Sequence, residues 1–177
     1  IQQLEERKKA DEERKKVREK RGKKTFQKEI SISTDIVFIS KEREVPPVLS
    51  NLDPILEDEG FYGVKLALED NLTTGRFLGH DYKVEFHRIL LDEDLVSEFE
   101  KLLKKGKKYF IVDLNEKELL SLMKINGIED VLIFNTRAKN DSLRNENCKK
   151  NFFHMPPSYS ILSDALTQYL VKKKWKK

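Results

Sequence analysis

Apolar and polar positions change period along this chain, and each change marks an element. Ile30, Ile32, Ile36 and Phe38, with Val37 and Ile39 beside them, predict a first strand. Ser40 to Asp53 is polar, carries Pro46 and Pro47, and reads as a loop. Phe61, Val64, Leu68 and Leu72 then recur at helical spacing behind the acids Glu57, Asp58 and Glu59, which suit the positive end of a helix dipole. Gly75 and Gly79 close that helix as turn residues. Tyr82, Val84 and Phe86 alternate with Lys83, Glu85 and His87, the period of a half-buried strand.

The same rhythm repeats downstream. Asp92 is the expected cap of a helix that runs through Lys105 with Leu95, Phe99, Leu102 and Leu103 on one face, and Gly106 stops it. Tyr109 to Val112 is a short continuous apolar run, the signature of a parallel strand covered on both faces. Asn115 caps a further helix with Leu119, Leu122, Met123 and Ile125 inward, ended by Asn126-Gly127. Val131–Phe134 and Asn151–His154 read as strands, and Ser158 opens a last helix to Lys173 with Ile161, Leu162, Ala165, Leu166, Tyr169 and Leu170 apolar. Strands that alternate with helices predict an α/β fold with a parallel sheet and right-handed crossovers, a three-layer α/β/α arrangement.

Residues 1–28 stand outside this rhythm. They are almost entirely Glu, Lys, Arg, Asp and Gln, with opposite charges four apart such as Glu5 with Lys9 and Glu12 with Lys16. Such pairs support an exposed helix by ~0.2–0.5 kcal/mol each. Ile1, Leu4, Ala10 and Val17 make no sustained heptad, so the expectation is a charged helical arm ending near Gly22, not a coiled coil. The domain organisation is therefore an arm over 1–28 and an α/β lobe over 29–177.

Charge changes this picture little. The net charge of +4 does not predict nucleic-acid binding, because the basic residues sit in the arm and on helix faces, interleaved with acids and without aromatics for base stacking. No stretch is long and apolar enough to span a bilayer. Cys148 is the single cysteine, so no disulfide can form within the chain; it is expected to be a structural, buried thiol.

Catalytic and metal chemistry find few footholds. A nucleophile needs a base and an orienting group, and no G-x-S-x-G elbow accompanies Ser158. His87 reads as a surface imidazole, and His154, beside a strand end, as a hydrogen-bonded structural one. Cys148 and His154 alone do not make a metal site. Gly60-x-x-Gly63 lies at a helix start, where close packing explains it better than a dinucleotide motif. We expect no catalytic residues, no metal and no cofactor.

In an open parallel sheet, ligands meet the carboxyl ends of the strands. Those ends carry Asn115, Asn135 and Thr136 as neutral hydrogen-bonding groups, and Arg137 as a partner for a carboxylate. Ser158 offers a hydroxyl at a helix start, and Tyr159 a ring to cover a ligand. Asn115 and Ser158 are equally good N-caps. The expectation is that Asn135, Thr136, Arg137, Ser158 and Tyr159 converge on one concave surface with their side chains open to solvent.

Two segments carry a family likeness. One is VPPVLSNLDPILEDEGFYGVKLALEDNLTTGRFLG, Val45 to Gly79; the other runs from Phe134 to Trp175 and includes NDSLR at Asn140–Arg144, Cys148, and HMPPS at His154–Ser158. The runs EDEG, ALEDN, TTGRFLG and DALTQYL are specific in order and spacing. From about Ile32 to Trp175 the chain resembles the substrate-binding component of an ABC transporter associated with PQQ-dependent alcohol oxidation, within the type I periplasmic binding proteins. The resemblance implies a periplasmic, non-enzymatic receptor. It would capture a small-molecule solute in an interlobe cleft and present it to the transporter's membrane subunits. Type I binding proteins have two lobes, and this chain is expected to hold the first. The alternative expectation is a single-lobe interaction module that docks on a partner such as the PQQ-dependent dehydrogenase system.

The arm has almost no apolar face to bury, so it should be dispensable for folding of the lobe. Deleting Ile1 to Lys24 should leave the melting temperature within a few degrees; a collapse to molten or insoluble protein would show that the arm packs on the domain.

Overall fold

Five parallel strands lie in the order β2-β1-β3-β4-β5, so the first described strand lies inside the sheet, the second at one edge, and the others follow across to the other edge. The structure is a computed structural model that describes residues 32–44 and 58–175. The charged arm and the Pro46-Pro47 loop fall outside the described residues. The strands are β1 (Ile32–Lys41), β2 (His80–Ile89), β3 (Tyr109–Asp113), β4 (Leu132–Asn135) and β5 (Phe152–His154). The helices among the described residues are α1 (Glu59–Leu78), α2 (Leu95–Lys104), α3 (Glu116–Leu122) and α4 (Tyr159–Lys172).

This strand order dictates the layers. The steps β1 to β2 and β2 to β3 run in opposite directions across the sheet. Right-handed crossovers therefore place α1 on one face and α2 on the other. α3 follows a step in the same direction as α2 and shares its face. The result is the three-layer α/β/α fold expected from the alternation.

The two faces differ sharply in burial. Register aligns Val37, Phe110, Ile133 and Phe152 in one row across β1, β3, β4 and β5, all buried. Phe99 of α2 meets Phe110 at 4.5 Å between ring centroids, and Leu102, Leu119, Leu122 and Leu143 complete this core. On the opposite face the corresponding row is Phe38, Ile111, Phe134 and Phe153. Phe38 is 2% exposed beneath α1, whereas Phe153 at the far edge is 44% exposed. α1 covers the β1–β2 side and leaves the β3–β5 side open.

Element boundaries follow the hydrogen bonds that satisfy helix ends. α2 is capped by Asp94, whose carboxylate accepts from the backbone N–H groups of Val96 and Ser97, and not by Asp92. Asp92 lies in the preceding turn, closed by Glu93 N–H donating to the Leu90 carbonyl. α3 has its capping box at Asn115 and Glu118, but regular helix stops at Leu122; Met123 and Ile125 remain buried in the turns that lead to Gly127, at φ +82°. α4 begins after Ser158 as expected, yet none of its residues is buried, and Ile161, Leu162, Leu166 and Tyr169 are exposed. Cys148 is also exposed, which corrects the expectation of a buried thiol: its loop runs along the surface between Leu143 and Asn151. His87 is a surface residue, paired with Glu85 at 2.8 Å.

These contrasts set a stability prediction. Phe110→Ala removes a fully buried ring and should lower unfolding free energy by about 3–5 kcal/mol in urea titration. Leu166→Ala on α4 should change it by less than about 0.5 kcal/mol. Equal losses would mean that α4 packs far more closely than its exposure indicates.

Candidate functional site at the carboxyl edge of the sheet

Parallel pairing brings every strand end to one edge, and the step from β1 outward in both directions leaves a crevice between β1 and β3. This is the topological switch point at which ligands of open α/β sheets bind. The residue that ends β3 there is Asp113, a carboxylate with 5% of its side chain exposed. It lies on the same face as Phe38 and Ile111, beneath the first turn of α1.

Two guanidinium groups neutralise it. Arg137, just beyond β4, grips the carboxylate in a fork: Nε donates to Oδ1, and Nη2 donates to Oδ2 at 3.2 Å. Arg43, beyond β1, donates from Nη2 to the Asp113 carbonyl at 2.6 Å and reaches Oδ1 at 3.5 Å. The hydrogen bonds to Asp113 push the Arg137 pKa up against the opposing effect of burial, with Glu59 and Glu118 adding to the rise. Gly60 makes room for this arrangement. A Cβ at that position would sit 2.6 Å from Asp113 Oδ2 and 3.1 Å from the Phe38 ring. Close packing is thus the role of Gly60, as expected, while Gly63 has open space around it.

The ion cluster stands at one end of a groove of about 1140 Å³ between α1 and the open half of the sheet. Tyr82, Tyr109, Ile111, Phe134 and Met155 give it apolar walls; Thr136, Arg137, Lys139 and Glu59 give its mouth polar groups. Among the residues that line the groove, Arg137 and Lys139 balance Asp113 and Glu59 in charge.

Of the expected site residues only Thr136 and Arg137 line the groove, so the expected convergence on one concave surface does not occur. Thr136 and Arg137 come together at the groove mouth, Thr136 donating its hydroxyl to the Val112 carbonyl at 3.1 Å. Tyr159 is exposed, and Asn115 is occupied as the cap of α3. Asn135 and Ser158 are fully buried, which corrects the expectation that all five side chains lie open to solvent. Alternation along β4 turns Asn135 toward the core face, away from the groove. Ser158 caps α4 by accepting from Ile161 N–H and shares a hydrogen bond with Ser160. Beside them, hydrogen bonds from Ser158 and Ser160 hold the Asp141 carboxyl below the usual carboxylate range.

Asn135 instead organises the loop behind Arg137. Its Oδ1 accepts from Arg137 N–H at 3.1 Å and Ala138 N–H at 2.9 Å, and its Nδ2 donates to the Ala138 carbonyl at 2.7 Å. Its fourth hydrogen bond joins Nδ2 to His154 Nδ1 at 3.1 Å. His154 is thus hydrogen-bonded, as the sequence suggested. Burial, with the charge of Arg144, lowers its pKa below the ordinary imidazole value.

Asp113 was absent from the residues expected at the site. The signal available for it is the charge that ends the run YFIVD, since a carboxylate directly after a buried strand must find a partner. Among the described residues no group of three or more His, Cys, Asp and Glu side chains is placed to hold a metal ion, and no helix is long and apolar enough to cross a membrane. Compared with known proteins, the chain matches no family model and no curated protein sequence.

Replacing Asp113 by Asn leaves two guanidinium groups facing each other without their shared carboxylate. Asp113→Asn should destabilise the lobe by about 1.5–3 kcal/mol, the range of a hydrogen bond to a charged group. Gly60→Ala should produce a comparable loss by steric displacement of Asp113. Unchanged urea midpoints in both variants would show that the cluster does not anchor this edge.

Proposed function

We propose that this chain is the first lobe of a solute-binding receptor and takes a small solute at the groove mouth formed by Arg137 and Thr136. The observation that carries the reading is the ion cluster at the β1/β3 switch point, opening onto an apolar groove with Arg137 and Lys139 at its mouth. A solute with one anionic group and a short apolar body fits that chemistry: the anion meets Arg137, the body meets Tyr109, Ile111 and Phe134. The resemblance of Val45–Gly79 and Phe134–Trp175 to the ABC-transporter component linked to PQQ-dependent alcohol oxidation supports the same reading. It supplies the periplasm as compartment, the transporter membrane subunits as partners and a non-enzymatic role. Ligand would favour a closed arrangement through contacts to a second lobe, and a single lobe binds weakly because half the contacts are missing.

One observation favours a second reading, a protein-interaction module. α4 buries none of its residues, and its apolar side chains lie exposed along with Phe153 at the sheet edge. A partner protein seated there, such as the dehydrogenase system, would reach the rim of the groove through Phe153, which stacks on Phe134.

Amide chemical shifts followed during titration with short-chain carboxylates, and with the matching alcohols, test the first reading. Carboxylates should move the resonances of Thr136, Arg137 and Tyr109, and Arg137→Gln should abolish the response while the alcohols give none. A response that is unchanged in Arg137→Gln, or no response to any probe, would sink the solute site.

A further inference from the structure

We propose that His154 is a positioning residue for Arg137: its neutral imidazole locks the loop that aims Arg137 at Asp113, and uptake of a proton at Nδ1 loosens that loop.

The argument is an accounting of donors and acceptors. Asn135 has two acceptor sites and two amide hydrogens, and all four are committed. Three of its partners are backbone groups of the Arg137–Ala138 loop: two N–H donors on Oδ1 and the Ala138 carbonyl on Nδ2. These three fix which end of the amide is oxygen. The remaining amide hydrogen points at His154 Nδ1, so Nδ1 has to accept. The imidazole is then neutral with its proton on Nε2. That nitrogen is buried with no acceptor at full hydrogen-bonding geometry, and of the ring's surroundings only the Leu143 backbone favours a proton on it.

A proton on Nδ1 would set N–H against N–H. Asn135 has one escape, rotation of its amide by half a turn. That rotation presents Oδ1 to His154 and Nδ2 to the two loop N–H groups, losing three backbone hydrogen bonds at once. The side chain of Arg137 starts from that loop, so the fork on Asp113 depends on it. The charged groups around His154 oppose protonation. Arg144, from the turn Asp141–Arg144, donates to the His154 carbonyl and to the Pro156 carbonyl and places its charge beside the ring. From the neighbouring strand β4 comes Asn135, which does not titrate. Arg137 is turned to Asp113 and Asp141 to Ser160, so neither carboxylate compensates a charge on His154.

The linkage has a definite sign. The folded-state pKa of His154 lies below its unfolded value, so on acidification the unfolded chain takes up the proton first. The contribution to stability is complete above about pH 6.5, the ordinary imidazole value, and is lost as pH falls through the folded value.

Imidazole nitrogen resonances of the full chain, recorded against pH with no solute present, test the proposal. His154 should be the Nε2–H tautomer, titrating below a free imidazole, and the Arg137 and Ala138 amide resonances should move with its midpoint. Asn135→Asp replaces the donor facing Nδ1 by an acceptor while still accepting from both loop amides. It should therefore raise the His154 midpoint above that of a free imidazole. An Nδ1–H tautomer overturns the proposal, as do loop amides that stay still or follow the midpoint of His87. A lowered or unmoved midpoint in a folded Asn135→Asp does the same. Should that variant not fold, the wild-type titration decides alone. Because no solute enters the experiment, its failure leaves the solute reading standing, and a failed solute titration leaves this one intact.

Discussion

A carboxylate buried at the end of a parallel strand has to be neutralised on the spot, and Asp113 is the charge to which this sheet edge is fitted. Desolvation makes an unpaired buried charge costly, so its neighbours are constrained in kind and in size. The kind is guanidinium, from the loops after β1 and β4. The size is glycine, at the first turn of α1, where any side chain would collide with the carboxylate. One residue thereby ties three segments that are distant in sequence: the exits of β1 and β4, and the start of α1. The same cluster also faces the groove.

The second constraint is the asymmetry of the two faces. Phe99, Phe110, Leu119, Leu122 and Ile133 are buried together on one side. The other side is closed only where α1 lies over Phe38. The groove exists because cover stops partway across the sheet. Its apolar floor is made of the strand residues that alternate with those of the core, Ile111 and Phe134 beside Phe110 and Ile133, left uncovered by the lack of a second helix over β3 to β5 among the described residues.

Much of the fold was legible in the pattern because each strand and helix is short and punctuated by a turn residue or a cap. Asn115, Gly106 and Ser158 mark boundaries by chemistry that acts within a few residues. The last helix shows the limit: its apolar positions recur as a buried face should, and yet α4 leaves them exposed, since periodicity encodes which side is apolar and not what meets it. The site was legible only in part for a related reason. Thr136 and Arg137 follow β4 and reach the groove mouth, whereas Asn135, one residue earlier, points through to the core. A step of one residue along a strand reverses the face. Asp113 is not legible in the sequence because its importance comes from Arg43 and Gly60, about seventy and fifty residues away, a pairing no local window contains.

The position of β1 has a consequence for synthesis. It is the first described strand to leave the ribosome and it ends up inside the sheet, hydrogen-bonded on one side to β2 and on the other to β3. Both of its partners are made later, so for a period its two edges are open at once, with the apolar run Ile36–Ile39 between them. Non-local parallel pairing is slow to form, and an unpaired strand is a template for other chains. The nascent chain is therefore at its most vulnerable to aggregation before Tyr109–Asp113 emerges, and translation speed through that interval should govern the yield of soluble protein.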